Sequence, residues 1–305
     1  MINYSFLRES LLIAEYNGRL YSFSALGNIS FDTTMSEFKT NRKTIHGKSN
    51  YPVTRVTGFN PVSLSLILNF TDNFLETMFF EWLGMERVSD TTLILPFTCG
   101  IEPKYLTFYL VFKDGATYKF HNAFVENADF SIERAIPELS VSVKAGRAEQ
   151  IRSPIGTPSI DQGEVNRISP LVCEVDGQVV PSVMGAGLSF QQQCSWRNNR
   201  SVHDSGSMYS ETRAVIGEMN FSANISMYKR ETPEDYSRRF LDINEASHGS
   251  YVKIFNRNII VDIPNARIAK RLQSDDVMRM GLDIIPMHNS TDPVSITFLR
   301  EENND

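Results

Sequence analysis

Little in this chain offers reactive chemistry. Only three cysteines, Cys99, Cys173 and Cys194, occur in 305 residues. They are too few and too scattered for a disulfide framework or a zinc site, and read as free thiols of a protein made in a reducing cytosol. No run of about 18 apolar residues is present, so no membrane-spanning helix is expected. The first nine residues lack a basic segment followed by an apolar one, so no secretory leader is expected either. Positive charge is not in excess: 30 Lys+Arg stand against 36 Asp+Glu, a net charge of −6. A protein that binds nucleic acid by neutralising phosphate needs the opposite balance.

Catalytic constellations are missing as well. His203-Asp204-Ser205 holds triad residue types, but a triad is defined in space, and neighbours in sequence do not form one. Adjacent acids such as Asp275-Asp276 between two strands read as a turn before they read as metal ligands. Gly185-Ala186-Gly187 lacks the third glycine and the strand-to-helix context of a dinucleotide fingerprint. The aromatics between Leu75 and Trp82 fall at helical spacing, which makes them core. We therefore expect no enzyme, no cofactor and no metal.

What is present is a repeat. Residues 13–70 and 172–229 match at a constant offset of 159. Glu15-Tyr-Asn-Gly18 answers Glu174-Val-Asp-Gly177, Ser30-Phe31 answers Ser189-Phe190, and Gly58 and Ser63 answer Gly217 and Ser222. The register resumes at an offset of 143, with Phe112 answering Phe255, Asn122-Ala123 answering Asn265-Ala266, and Leu139 answering Leu282. The difference, 159 − 143, is a deletion of 16 residues in the second copy. Length alone also suggests two domains. The organisation expected is a first β unit over 1–150, a linker over 151–168 rich in proline and glycine, and a second β unit over 169–305. By residue count the first copy (1–155) holds 15 Lys+Arg and 16 Asp+Glu, leaving 30 − 15 = 15 and 36 − 16 = 20 for the second.

Each copy opens with a hairpin at Asn17-Gly18 or Asp176-Gly177, the residue pairs suited to a type I′ turn. Asn28–Phe38 alternates apolar and polar residues, as a half-buried strand does, and Leu188–Trp196 does so more weakly. Polar stretches follow, Lys39 to Thr54 and Arg197 to Thr212. Loops of such length in compact domains are usually functional or mobile. Long strand patterns come next at Arg55–Phe70 and Arg213–Tyr228. One helix is expected per copy: Asp72–Leu83, ended by Gly84, and a second opened by Thr232-Pro233-Glu234-Asp235. A hairpin and two further strands close each copy: Leu106–Lys113 with Thr117–Phe124, Asn127–Arg134 and Glu138–Lys144 in the first. Asn258 stands where Gly115 stands, and is expected at positive φ. Thr92–Phe97 predicts an additional strand or hairpin found only in the first copy. The fold class is mainly β: two tandem β-sandwich or barrel units, each with one packed α-helix.

This order of elements resembles the tail tube protein family of tailed bacteriophages, in its tandem-duplicated form, the major tail protein of long non-contractile-tailed phages. Ile268–Gln273, Ser274-Asp-Asp-Val277 and Gly281–Pro286 look like the terminal strands of that family's second unit. The resemblance implies a virion structural protein, assembled in the host cytoplasm, whose chains form stacked trimeric, pseudo-hexameric rings around a channel for genome passage. The partners it implies are further copies of the chain, a tape-measure protein, and tail-tip or terminator proteins at the ends, with DNA passing through unbound and no membrane involved. Ring closure would cover the open edges of a curved sheet. A polar, acidic lumen would let DNA slide, and Asp32, Glu37, Gln191 and Gln193 are candidate wall residues. The two polar stretches are candidate inter-ring contacts, through Arg42, Lys43, His46, Lys48 and Tyr51 in the first and Arg197, Arg200, His203, Met208 and Tyr209 in the second. Two alternatives stay open: a hub or tube-initiator protein at the tail tip or baseplate, and a double β-sandwich receptor-binding module.

Overall fold

The structure is a computed structural model that describes residues 10–23, 26–40, 43–44, 47–48, 53–113, 115–133, 136–152, 159–160, 163–164, 169–197, 213–228, 249–274, 278–287 and 292–299. The expected second helix after Thr232 lies outside these residues. Through the first half the strands are β1 (Ser10–Tyr16), β2 (Arg19–Phe23), β3 (Leu26–Asp32), β4 (Met35–Thr40), β5 (Lys43–Thr44), β6 (Gly47–Lys48), β7 (Val53–Phe59) and β8 (Val62–Asn69). After the helix α1 (Met78–Leu83) come β9 (Glu86–Arg87), β10 (Thr92–Ile94), β11 (Leu106–Phe112), β12 (Thr117–Glu133), β13 (Ile136–Ala145), β14 (Arg147–Ile151) and β15 (Ser159–Ile160). The rest are β16 (Val172–Val175), β17 (Gln178–Val179), β18 (Val183–Arg197), β19 (Arg213–Tyr228), β20 (Ser250–Phe255), β21 (Ile259–Ser274), β22 (Met278–Pro286) and β23 (Ser295–Phe298). The protein is mainly β, as the alternation predicts.

Both expected hairpin turns form. Asn17 and Gly18 have φ of 50° and 75°, and Asp176 and Gly177 have 50° and 76°. Two consecutive residues at positive φ define the I′ turn, whose twist matches that of the strands it joins. Asn258 does not follow the expectation and is not among the positive-φ residues. The Asn256 side chain makes that turn instead, its Oδ1 accepting the N–H of Asn258 at 2.9 Å and of Ile259 at 2.7 Å. An Asx turn closes the chain without left-handed backbone.

The spine of the molecule is one antiparallel ladder in the order β3-β8-β13-β12-β18-β19-β22-β21. The strands expected at 117–124 and 127–134 are one 17-residue strand, β12. A β-bulge between Val125 and Asn127 bends it. Its first half pairs with β11 and β14, and its second half with β13 and β18. β21 likewise merges 259–263 and 267–273, pairing first with β20 and β23 and then with β22. A bulge lets one strand serve two sheets, so the local break in periodicity marks a bend and not an end.

Corresponding strands of the two halves can be read off this ladder. Leu64, Leu66 and Leu68 pair with Val143, Val141 and Leu139 on one side and with Phe31, Ile29 and Leu26 on the other. The residues 159 places on, Ala223, Ile225 and Met227, pair with Ile284, Leu282 and Met280 and with Leu188, Ala186 and Val183. Leu282 therefore stands at the place of Val141, and Leu188 at that of Phe31. Each is two residues from the match that a constant offset gives. A slip of two keeps every side chain on its face, so the sequence pattern does not register it.

The core lies on one side of this ladder. Leu64, Leu66, Leu68, Leu139, Val141, Val143, Ala128, Phe130, Leu188, Phe190, Ala223, Ile225, Leu282 and Ile284 are all buried there. α1 packs against it through Phe79, Phe80, Trp82 and Leu83, each at most 1 % exposed. Phe80 sits 5.5 Å from the Phe190 ring and 6.4 Å from Phe70, and Trp82 sits 6.1 Å from Phe23 and from Phe108. The helix is shorter than expected, with a 3-10 turn over Leu75–Thr77 before it and Phe74 at φ 53°. Asp72 is held away from it, its N–H donating to Glu164 O and its Oδ1 accepting the Glu164 N–H, at 2.9 and 3.0 Å. The buried Glu76 carboxylate turns back to accept the Thr71 N–H at 3.1 Å. Gly84, at φ 118°, ends the helix with Met85 N–H bonded to Phe80 O, a Schellman closure.

The additional segment of the first half does form strand, since β10 pairs with β9 and with the C-terminal β23. It ties residues 92–94 to residues 295–297.

Candidate functional site

The other side of the same ladder faces outward, and serine, asparagine and glutamine dominate it. Because strand side chains alternate, burying Leu64, Leu66 and Leu68 turns Ser63 and Ser65 out. The same rule turns out Ser140 and Ser142 from β13, Asp129 and Ser131 from β12, Ser189, Gln191 and Gln193 from β18, and Asn220, Ser222 and Asn224 from β19. Ser63, Ser65, Ser140, Gln191, Gln193, Asn220, Ser222 and Asn224 are exposed. The charged side chains described on this face are Asp32, Glu126, Asp129, Glu138, Glu218 and Asp283 against Lys144, Arg267, Arg271 and Arg279, a modest acidic excess. Several are neutralised locally. Lys144 donates to Ser63 at 2.9 Å and lies 3.6 Å from Glu126, and Arg271 meets Asp283 at 2.8 Å.

The structure gathers three of the four candidate wall residues on this face. Asp32 ends β3, and Gln191 and Gln193 flank the buried Gln192 on β18. The Gln192 amide turns inward and donates to Val125 O. Glu37 lies apart, on the two-stranded arm β4–β7, 3.4 Å from Lys39. Sequence reasoning missed most of the face: the serines at 63, 65, 140, 142 and 222 are ordinary singly, and their common side shows only when the strands are in register. The alternation Asn220-x-Ser222-x-Asn224-x-Ser226 carried the signal.

The expected strand 28–38 is broken into β3 and β4, and 55–70 into β7 and β8. Asn60 bridges the break, its N–H donating to Thr34 O and its Nδ2 to Thr34 Oγ1, both at 2.9 Å. Beyond this joint β4 and β7 form an arm that carries exposed apolar groups, with Met35 50 %, Phe38 59 % and Val56 37 % exposed. The polar stretch expected as a loop is partly strand in its described residues: β4 runs to Thr40, β7 starts at Val53, and Lys43 pairs with Lys48 in the separate two-stranded β5–β6 sheet. Arg197 closes β18 opposite Arg213. Arg42, His46, Tyr51, Arg200, His203, Met208 and Tyr209 lie outside the described residues.

The corresponding arm of the second half, the far ends of β18 and β19, rests on the first half. Trp196 packs 5.2 Å from Phe124. The Ala214 N–H donates to Tyr105 Oη at 2.6 Å, and the Ile216 N–H donates to Ile101 O at 2.9 Å.

Among the described residues no group of three His, Cys, Asp or Glu side chains is placed to hold a metal. Burial pushes the Cys173 and Cys194 thiols up to about 12, which keeps both unreactive. His121 contacts Glu149 at 2.6 Å, but burial is the larger influence and lowers its pKa. No described helix is long and apolar enough to cross a membrane.

Comparison with known proteins agrees with a structural reading. The chain is 35 % identical to the baseplate tube protein p140 of Escherichia phage T5 over 300 residues, which is 98 % of this chain and 99 % of that protein. The model of the Bacteriophage Baseplate Tube Protein Family matches residues 2–303. With a β-ladder polar on one face and packed on the other, the chain belongs to the bacteriophage baseplate tube protein family, whose members are structural proteins of the phage tail and not enzymes.

Proposed function

We propose that this chain forms trimeric rings, each with six similar β units around the axis, and that these rings line the channel at the baseplate end of a phage tail tube. The observation that carries the reading is the ladder from β3 to β21, which holds two sets of four corresponding strands joined edge to edge by β12 and β18. A chain that already contains one such junction needs two others like itself to give six units. The tandem division into 1–150, a linker over 151–168 and 169–305 fits this, the two strand sets falling one in each unit. DNA passes the outward polar face. Serine and amide side chains offer it neither a row of cations to release counterions against nor an apolar wall. The modest acidic excess of the charges described on this face supports the acidic lumen expected from the sequence. Stacking of rings falls to the tip of the β4–β7 arm, between Thr40 and Val53, and to the stretch 197–212. A tape-measure protein inside the tube and terminator or tip proteins at the ends are the partners this implies.

Negative-stain electron microscopy of the purified protein, with mass measured by light scattering, tests the reading. The expected particle is a ring of three chains with six lobes, stacking into short open tubes at high concentration. Deleting 41–51 should leave single rings that no longer stack. A solitary trimer that never stacks points to the hub or initiator role, and a monomer under every condition refutes the ring.

A further inference from the structure

The internal junction between the two halves specifies the junction between chains. Within the chain, residues 127–133 of β12 pair antiparallel with residues 185–191 of β18, from Asn127 opposite Gln191 to Glu133 opposite Gly185. The strands corresponding to these two are β21 and β3. Each has one neighbour along this stretch and one open side among the described residues: β21 has β22, and β3 has β8. We propose that the open edge of β3 pairs with the open edge of β21 of a second copy, in the register that repeats β12–β18.

The register follows from the ladder. Phe130 pairs with Leu139 and Leu272 with Met280, and Leu139 corresponds to Met280, so Leu272 stands at the place of Phe130. Phe31 stands at the place of Leu188 by the same argument through β8 and β19. Phe130 pairs with Leu188, so Leu272 of one chain faces Phe31 of the next. One step along, the internal pair Asp129–Ser189 becomes Arg271 facing Asp32. Internally Ser189 donates to Asp129 Oδ1 at 2.5 Å. The same place between chains carries a cation opposite an anion. Arg271 (65 % exposed) and the exposed Asp32 are both within reach of solvent, and opposite charges set directly across a ladder favour that register.

The arm supplies an independent argument for a second copy as the occupant. Arg55 pairs with Phe38, and Ala214, 159 residues on, pairs with Trp196. Phe38 is thus the counterpart of Trp196, which is covered by Phe124 of the first half. Phe38 is 59 % exposed in the single chain. The proposed pairing carries the β4–β7 arm over the neighbouring chain's second half as β18–β19 lies over the first, and covers Phe38 there.

The inference rests on the ring reading, and its test separates the two. In a Cys99→Ser background, Asp32→Cys with Arg271→Cys is oxidised under mild conditions and run on a non-reducing gel beside Asp32→Cys with Ala269→Cys, the pair two residues out of register. The expected result is covalent dimers and closed trimers from the first pair and little from the second. Asp32→Arg alone should abolish rings, and adding Arg271→Asp should restore them. Rings that cross-link only through residue 269, or through neither pair, overturn the register while leaving the ring intact. A chain that stays monomeric, with an unchanged circular dichroism spectrum, overturns both.

Discussion

Phe80→Ala tests whether the two halves stand or fall together. Phe80 belongs to the first half, yet its ring packs on Phe190 of β18 at 5.5 Å, and Phe190 packs on Phe221 of β19 at 4.4 Å. It is 1 % exposed, so truncation removes its transfer free energy and opens a cavity in a region braced by β strands on both sides. Such substitutions cost about 3–5 kcal/mol. With a urea slope of roughly 3 kcal/mol per molar for a domain of this size, the midpoint should fall by about 1–1.7 M. The chain's two tryptophans make the assay selective. Trp82 reports α1, and Trp196 reports the far end of β18. Two single-tryptophan backgrounds, Trp196→Phe and Trp82→Phe, are unfolded in urea with and without Phe80→Ala while fluorescence is followed. The seven-pair β12–β18 ladder and the Phe80–Phe190 contact predict coincident transitions that move together. If the Trp82 transition moves alone while that of Trp196 keeps its midpoint, the halves are independent and the reasoning fails.

Other expectations follow from local chemistry. Gly18→Val and Gly177→Val should each cost about 1–2 kcal/mol and by nearly equal amounts in thermal melts, since both sites have φ near 75° and open space around the missing Cβ. Glu76→Ala should cost about 1–3 kcal/mol by leaving the buried Thr71 N–H without its acceptor, whereas Glu76→Gln should retain most of the stability. Stability should decline on acidification. His121 is held below its ordinary 6.5 mainly by burial, and Glu149 below its ordinary 4.5 mainly by the His121 hydrogen bond. Both contributions are complete above those ordinary values, and each is lost as pH falls through its lowered value. His121→Asn should flatten the upper part of that profile in urea titrations at stepped pH. Cys99 is exposed and should react with a thiol reagent at once, while Cys173 and Cys194 should react only on unfolding.

The turns were readable because one residue pair decides each: Asn17-Gly18 and Asp176-Gly177 can occupy positive φ at little cost, and the structure has both there. Strand existence was readable from alternation. Strand extent was not, since β12 and β21 bend through bulges that break the period without ending the pairing. The helix was placed but begins late, because Asp72, read as its first turn, is held by Glu164, 92 residues away. The polar face was missed for a related reason. It is a property of eight strands in register, and a single Ser-x-Ser in one of them says only that one side is wet.

In the arrangement proposed above, joining two similar units in one chain changes what an assembly can encode. In the proposed ring a chain of single units would have six identical junctions, and any substitution at one strand edge would be imposed on all six. With two units per chain, the junction inside the chain and the junction between chains are separate positions. Asp129 with Ser189 holds the first, and Asp32 with Arg271 is set to hold the second. The internal one forms at the effective concentration of a tether and needs no charge to find its partner. The outer one forms between diffusing chains, where complementary charge raises the encounter rate and excludes a β12 edge or a second β3 edge as partner. With the six units proposed, a ring that alternates two kinds of junction has threefold symmetry. The charge therefore belongs on β3 and β21, at the junction that assembly has to make.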